Sequence, residues 1–174
     1  MPSPVGHSLA AIAVGWSLAP APASRRALVA QTLTLALIGS APDLDLLIGR
    51  HSNETHSLGA ALIVATVAAF WRWPVATSRA RIFFVVLAAW MTHPLLDAFG
   101  EDTSPPLGIE AFWPMTTAHF IAPHAVFTSI YRQWRESGFF AHNLYAMLRE
   151  LLILGPLAVA VGWWRGVGRG QTRP

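Results

Sequence analysis

The chain has no cysteine and no lysine, and charged residues make up only 12% of its 174 positions. Without cysteine there are no disulfides, no thiolate nucleophile and no zinc site built on sulfur. The shortage of charge says more. It is about half the share typical of globular domains, while 53% of residues are hydrophobic and the mean hydropathy is +0.44. One domain with a sizeable helical core fits this length, but so few charges could not cover its surface in water. A bilayer is the natural solvent, and eight Trp and nine Phe supply interfacial anchors.

Other absences narrow the function. There is no internal repeat, no low-complexity segment, no serine-nucleophile elbow and no phosphate-binding Gly-Lys-Ser/Thr motif. Gly166-Val167-Gly168-Arg169-Gly170 reads as a flexible tail, with no following helix to make it a nucleotide loop. A pI near 10.6 invites a nucleic-acid reading. The net charge is only +3, however, and no basic cluster is interleaved with aromatics, so direct nucleic-acid binding is not expected.

Five apolar stretches stand out: Ser8 to Ser24, Ala27 to Pro42, Ser57 to Trp71, Ile82 to Leu96 and Leu151 to Trp164. Each falls slightly short of the roughly 20 residues that span a bilayer comfortably, which flanking aromatics, snorkelling Arg and local thinning can absorb. Five such stretches in one short chain leave no amphipathic shell to bury them. The expectation is an all-α, multi-pass membrane bundle of about five helices, a single domain over 1–174.

If the stretches cross in alternation, one side receives Arg25, Arg26, Arg72, Arg79, Arg81, Arg165, Arg169 and Arg173. The other receives Arg50, Arg132 and Arg135, with Arg149 at the edge of the last stretch, and all nine acidic residues from Asp43 to Glu150. By the positive-inside rule the first side is cytoplasmic, which puts the N-terminus outside and the C-terminus inside. The same alternation puts His7, His51, His56, His93, His119, His124 and His142 on the outer, acidic side. The first stretch could alternatively be a signal peptide cleaved near Ala19-Pro20-Ala21 or Ala21-Pro22-Ala23, although no Lys or Arg precedes it.

Residues 100–142 form the one long polar connection, a loop or lid. Thr103-Ser104-Pro105-Pro106-Leu107-Gly108 cannot be continuous helix. From about His124 to Trp134 the pattern predicts a short amphipathic helix lying on the extracytoplasmic membrane surface.

The chemistry gathers in three short motifs. In His93-Pro94-Leu95-Leu96-Asp97 the His and Asp lie four apart, on one helical face, where they can share a metal. Pro94 perturbs the helix there and frees backbone carbonyls. Pro42-Asp43-Leu44-Asp45 ends an apolar stretch with two carboxylates that a turn could aim at one cation. Acidic residues at a helix C-terminus oppose its dipole, so something positive should compensate. In His51-Ser52-Asn53-Glu54-Thr55-His56-Ser57, two His flank a polar loop, and Thr55 or Ser57 can cap the next helix. Each motif alone is equally readable as a helix end or capped loop. Together with His7 they offer seven N/O ligands, His7, Asp43, Asp45, His51, His56, His93 and Asp97. That is enough for one or two divalent ions, with Zn, Mn or Fe better suited than Ca.

This run of motifs, with Gly108-Ile109-Glu110-Ala111-Phe112-Trp113-Pro114 after it, resembles the YdjM-like family. That family is described as LexA-binding, inner-membrane-associated, metal-dependent hydrolases. The similarity covers about residues 5 to 115, and the last helix matches in character only. More distantly it is similar to the all-helical zinc-dependent phospholipase C and nuclease superfamily, through the His-x-x-x-Asp pair. The resemblance implicates the same seven residues as metal ligands. There are departures: the Arg that often follows the first loop His is Ser52 here, with Arg50 preceding. The later His-x-x-x-Glu pair of the phospholipases is absent, since His142 is followed by Ala146, so phospholipase activity is not implied.

The functional expectation is a metal-dependent hydrolase acting on a phosphoester or lipid-like substrate. Asp45 or Glu54 would serve as general base and Arg50 as anion holder. Its partners would be membrane lipids and an unidentified small molecule or lipid; repressor association follows from the family name alone. A transporter or a metal or proton carrier using the same cluster is the alternative, and a regulatory membrane protein with a vestigial site a third.

Overall fold

The computed structural model describes residues 1–49, 52–71, 73–74, 78–103 and 105–167. Five helices follow in order: α1 (Pro4–Leu18), α2 (Arg25–Ser40), α3 (Leu58–Ala69), α4 (Arg79–Ala98) and α5 (Phe139–Trp164). Two 3₁₀ turns, Ala41–Ile48 and Glu54–His56, lie between α2 and α3. The first four helices share one start signal. Ser3, Ser24, Ser57 and Ser78 each accept a bond from the backbone N–H three residues on, satisfying a donor the helix cannot. α1 stops where Ala19-Pro20-Ala21-Pro22 begins, since proline supplies no N–H to a helix interior and disfavours helix in the residue before it. At the far end of α2, Pro42 converts α-helix to the 3₁₀ turn, and Gly49 ends it in the left-handed region (φ 71°).

α1 is the hub, packing on α2, α4 and α5, while α3 packs on α4. Small residues allow close approach, as in membrane bundles. A Cβ built on Gly39 of α2 would lie 2.6 Å from the His7 carbonyl oxygen and 2.4 Å from Ala11 Cβ, both on α1. The outward faces stay apolar, with Leu33 and Leu37 on α2, Val67 on α3 and Leu152 and Val159 on α5 all exposed. Three helices are long and apolar enough to cross a membrane: Arg25–Leu47, Arg79–Ala98 and Phe139–Trp164. Exposed Phe70 and Trp71 beyond α3, and Trp163 and Trp164 ending α5, put aromatics at the arginine-bearing end.

Two expectations need correction. α5 begins at Phe139, twelve residues before Leu151, and at 26 residues is about 39 Å long, against roughly 30 Å of hydrocarbon. The surface helix expected from His124 to Trp134 is not formed. No helix lies between Ala98 and Phe139 among the described residues, and the segment runs through turns and irregular chain, held by isolated bridges Gly100–Phe127 and Ile109–Phe120. It folds back over the bundle end. Ala111 and Trp113 carbonyls accept from Leu58 N (2.9 Å) and Gly59 N (3.1 Å), the first two amides of α3. Those two carbonyls belong to the Gly108-to-Pro114 motif, whose work in the fold is therefore to cap α3.

Candidate metal centre

His7 lies on the second turn of α1, Asp43 and Asp45 in the 3₁₀ turn after α2, His56 in the turn before α3, and His93 and Asp97 one turn apart near the end of α4. The fold brings these six to one point. His7, His56, His93 and Asp97 are at most 1% exposed and Asp45 5%; the Asp43 side chain, at 21%, is the part of the cluster nearest solvent.

The closest donors form a triangle. His93 Nε2 is 3.1 Å from His56 Nε2 and 3.1 Å from Asp97 Oδ2, and His56 Nε2 is 3.4 Å from the same oxygen. Ligands about 2.0–2.1 Å from a tetrahedral ion lie roughly 3.3–3.4 Å from one another. The three atoms therefore have the spacing of one face of such a coordination shell. Asp43 Oδ1 flanks it at 3.6 Å from His93 Nε2 and 3.7 Å from His56 Nε2.

Outer contacts fix which nitrogens face inward. His93 Nδ1 lies 2.7 Å from the Gly39 carbonyl oxygen, which can only accept, so Nδ1 carries the proton and Nε2 presents a lone pair. Thr55 Oγ1 donates to Asp45 Oδ2 (2.7 Å) and so accepts from His56 Nδ1 (3.0 Å). Asp45 Oδ2 stands 3.3 Å from that same nitrogen. Trp90 Nε1 in turn donates to the Thr55 carbonyl (3.0 Å). Two imidazole lone pairs and a carboxylate thus converge in a dry pocket. Among the described residues, neither the Asp97 oxygens nor the His7 ring nitrogens, all buried, have a hydrogen-bond partner. Such an array is repulsive unless a cation sits in it, and two overlapping groups, His56–His93–Asp97 and His7–Asp43–His93, could hold an ion. The mixed imidazole and carboxylate donors fit a divalent metal.

Protonation shows the same demand. Burial would lower the pKa of His56, but its hydrogen bonds to Asp43 and Asp45 outweigh this and raise it above the ordinary imidazole value. A proton takes the place the cation would hold.

His7 stacks flat on His93, ring centroids 3.6 Å apart and 15° from parallel, with Nε2 3.4 Å from Asp97 Oδ1. Asp45 lies on the outer, Nδ1 side of His56 rather than in the triangle. Glu54 opens the turn that carries His56, its carbonyl accepting from Ser57 Oγ (2.5 Å). Arg50 and His51 lie outside the described residues, as do Arg72, Arg169 and Arg173 of the charge pattern. α4 runs unbroken through Pro94. His119, His124 and His142 do not join the cluster: His142 stacks on Tyr131 and its Nε2 bonds the Ser129 carbonyl (2.8 Å).

Three participants escaped the motif reading. The Gly39 carbonyl has no side-chain signature; its one clue was a glycine two residues from a helix end. Thr55 reads as a cap, but Ser57 does the capping. Glu150, fully buried on α5, accepts from Ser3 N (2.7 Å), Gly6 N (3.1 Å) and the Ser3 hydroxyl, clamping the turn just ahead of His7.

No curated protein and no solved structure matches the chain. The family described as YdjM inner membrane protein matches residues 1–167, nearly its whole length, and the chain belongs to that family.

Proposed function

We propose that this chain is a metal-dependent hydrolase of the bacterial inner membrane, multi-pass, with its site at the extracytoplasmic face. The observation that carries this reading is the His56–His93–Asp97 triangle, whose edges of 3.1, 3.1 and 3.4 Å suit three protein ligands of one ion. Three ligands with one position left for water is the pattern of catalytic rather than structural zinc. When bound, such an ion supplies Lewis acidity and brings the pKa of water toward neutrality. Zn suits the donors, with Mn and Fe the other choices.

The chain's own residues have separable tasks. Gly39 and Asp45, the latter with Thr55, hold the two imidazoles in the ligating tautomer. Asp45 is thus a positioning residue. Asp43, at the solvent-facing edge, orients a water entering the open position. The site sits where helices emerge from the apolar zone, which favours a phosphoester or other ester on a lipid-like substrate. A proton or ion carrier would need ionisable groups at several depths. Among the described residues, the opposite end (19–26, 69–71, 73–74, 78–81 and 165–167) holds no acidic residue and no His.

Detergent-purified protein assayed for metal and against a panel of phosphoesters and lipid esters tests the reading. Wild type should hold metal and cleave at least one ester class, and His93→Gln should lose both while still inserting in the membrane. Full metal content in His93→Gln refutes the assignment. Metal-dependent counter-ion flux in liposomes with no hydrolysis would favour the carrier.

A further inference from the structure

His7 has no task in the single-ion site just described, yet it is 1% exposed, neither ring nitrogen has a hydrogen-bond partner among the described residues, and it faces a carboxylate already in use. Asp97 presents its two oxygens to two different imidazoles: Oδ2 to His93 Nε2 at 3.1 Å and Oδ1 to His7 Nε2 at 3.4 Å. Rings that both ligate one ion converge on it from different directions. These two lie stacked, 3.6 Å apart and 15° from parallel, with both Nε2 atoms turned to the same carboxylate. The two Nε2 atoms meet different oxygens of one carboxylate, so ions held by them would lie about one ring separation apart. That separation matches the roughly 3.5–4 Å between the ions of two-metal hydrolytic sites.

We infer that the centre is dinuclear: His7 and Asp97 Oδ1 hold a second divalent ion beside the first, Asp97 bridges the pair, and Asp43, grouped with His7 and His93, lies within reach of the second position. This rests on the metal reading above and deepens it. Paired ions suit a phosphoester or another substrate that develops charge on both attacking and leaving oxygens.

The test counts ions. Wild-type protein in detergent is stripped with chelator, reloaded with Mn²⁺ and freed of excess. Metal per polypeptide is then measured by elemental analysis and the spin state by electron paramagnetic resonance. The expected result is two Mn²⁺ with an exchange-coupled spectrum. His7→Phe, which keeps a stacked ring but no ligand nitrogen, should hold one Mn²⁺ with an uncoupled six-line signal. One uncoupled ion in wild type overturns the dinuclear assignment and leaves the hydrolase reading standing, whereas none overturns both. Two ions in His7→Phe also overturn it, because the second would then not belong to His7. Should His7→Phe not fold, the wild-type count and coupling decide alone.

Discussion

The backbone carbonyl of Gly39 accepts from His93 Nδ1 at 2.7 Å, so a glycine in α2 sets the tautomer of a ligand on α4. The same residue lets α1 pass close enough to deliver His7, since any Cβ there would meet the His7 carbonyl and Ala11. Gly39→Ala is expected to destabilise the bundle by about 1–3 kcal/mol through overpacking and to weaken metal binding as both ligands shift. Unfolding in detergent and metal titration check this, and an unchanged metal affinity would count against it.

Asp45→Asn tests the outer contact on His56 separately from the fold. The amide is isosteric but removes the charge beside His56 Nδ1. Outer-contact losses of this kind lower metal affinity by about 10–100-fold. Asp97→Asn should instead abolish binding. Equal effects would make Asp45 a direct ligand.

Stability of the metal-free protein should depend on pH through His56. Its pKa is raised in the folded state above the ordinary 6.5, so the stabilisation is fully present below that ordinary value and is lost as pH rises through the folded one. Chelator-treated protein should melt at progressively lower temperature as pH rises above about 6.5. Metal should flatten the profile, because ligation needs the ring neutral and displaces the proton. Without metal, His56→Gln should show a shallower profile than the wild type.

Glu150→Ala leaves the Ser3 amide without its acceptor inside the bundle and takes one of two acceptors from Gly6 N. A loss of about 1–3 kcal/mol is expected for unsatisfied buried donors, read as lower thermal stability in detergent. Metal stoichiometry should persist at low temperature; its loss would make Glu150 part of the centre.

Orientation is open to a direct test because the chain contains no cysteine. Ser137→Cys, in the exposed segment before α5, should react with an impermeant maleimide added outside spheroplasts. Val167→Cys, just after α5, should react only after permeabilisation. The reverse pattern would place the centre on the cytoplasmic side.

Much of the fold is legible in residue order because a few residue types punctuate it. Four serines start four helices, and the prolines after Ala19 and at Pro42 end two. α5 was cut short in the reading because His142, Asn143, Arg149 and Glu150 dilute apolarity, although an acid or amide can sit in a membrane helix once another element satisfies it. The false helix at His124 to Trp134 has the opposite cause. Its mixed aromatic and polar order suits an irregular strap pinned by backbone bonds equally well. At the site, His93 and Asp97 were readable from helical spacing alone. The division between Asp43 and Asp45 was not, since which face of an imidazole a carboxylate meets depends on a turn, and the Gly39 carbonyl is invisible to any side-chain pattern.

The bonds from Leu58 and Gly59 to Ala111 and Trp113 have a mechanical consequence. Only Ser57 separates His56 from those two amides, so the strap and a candidate ligand imidazole are parts of one splint. Lifting the strap to admit a bulky molecule would drag His56 off its bearing and undo the centre it was meant to expose. On the hydrolase reading, an approach that leaves the site intact runs past Asp43, whose side chain at 21% is the most exposed of the six.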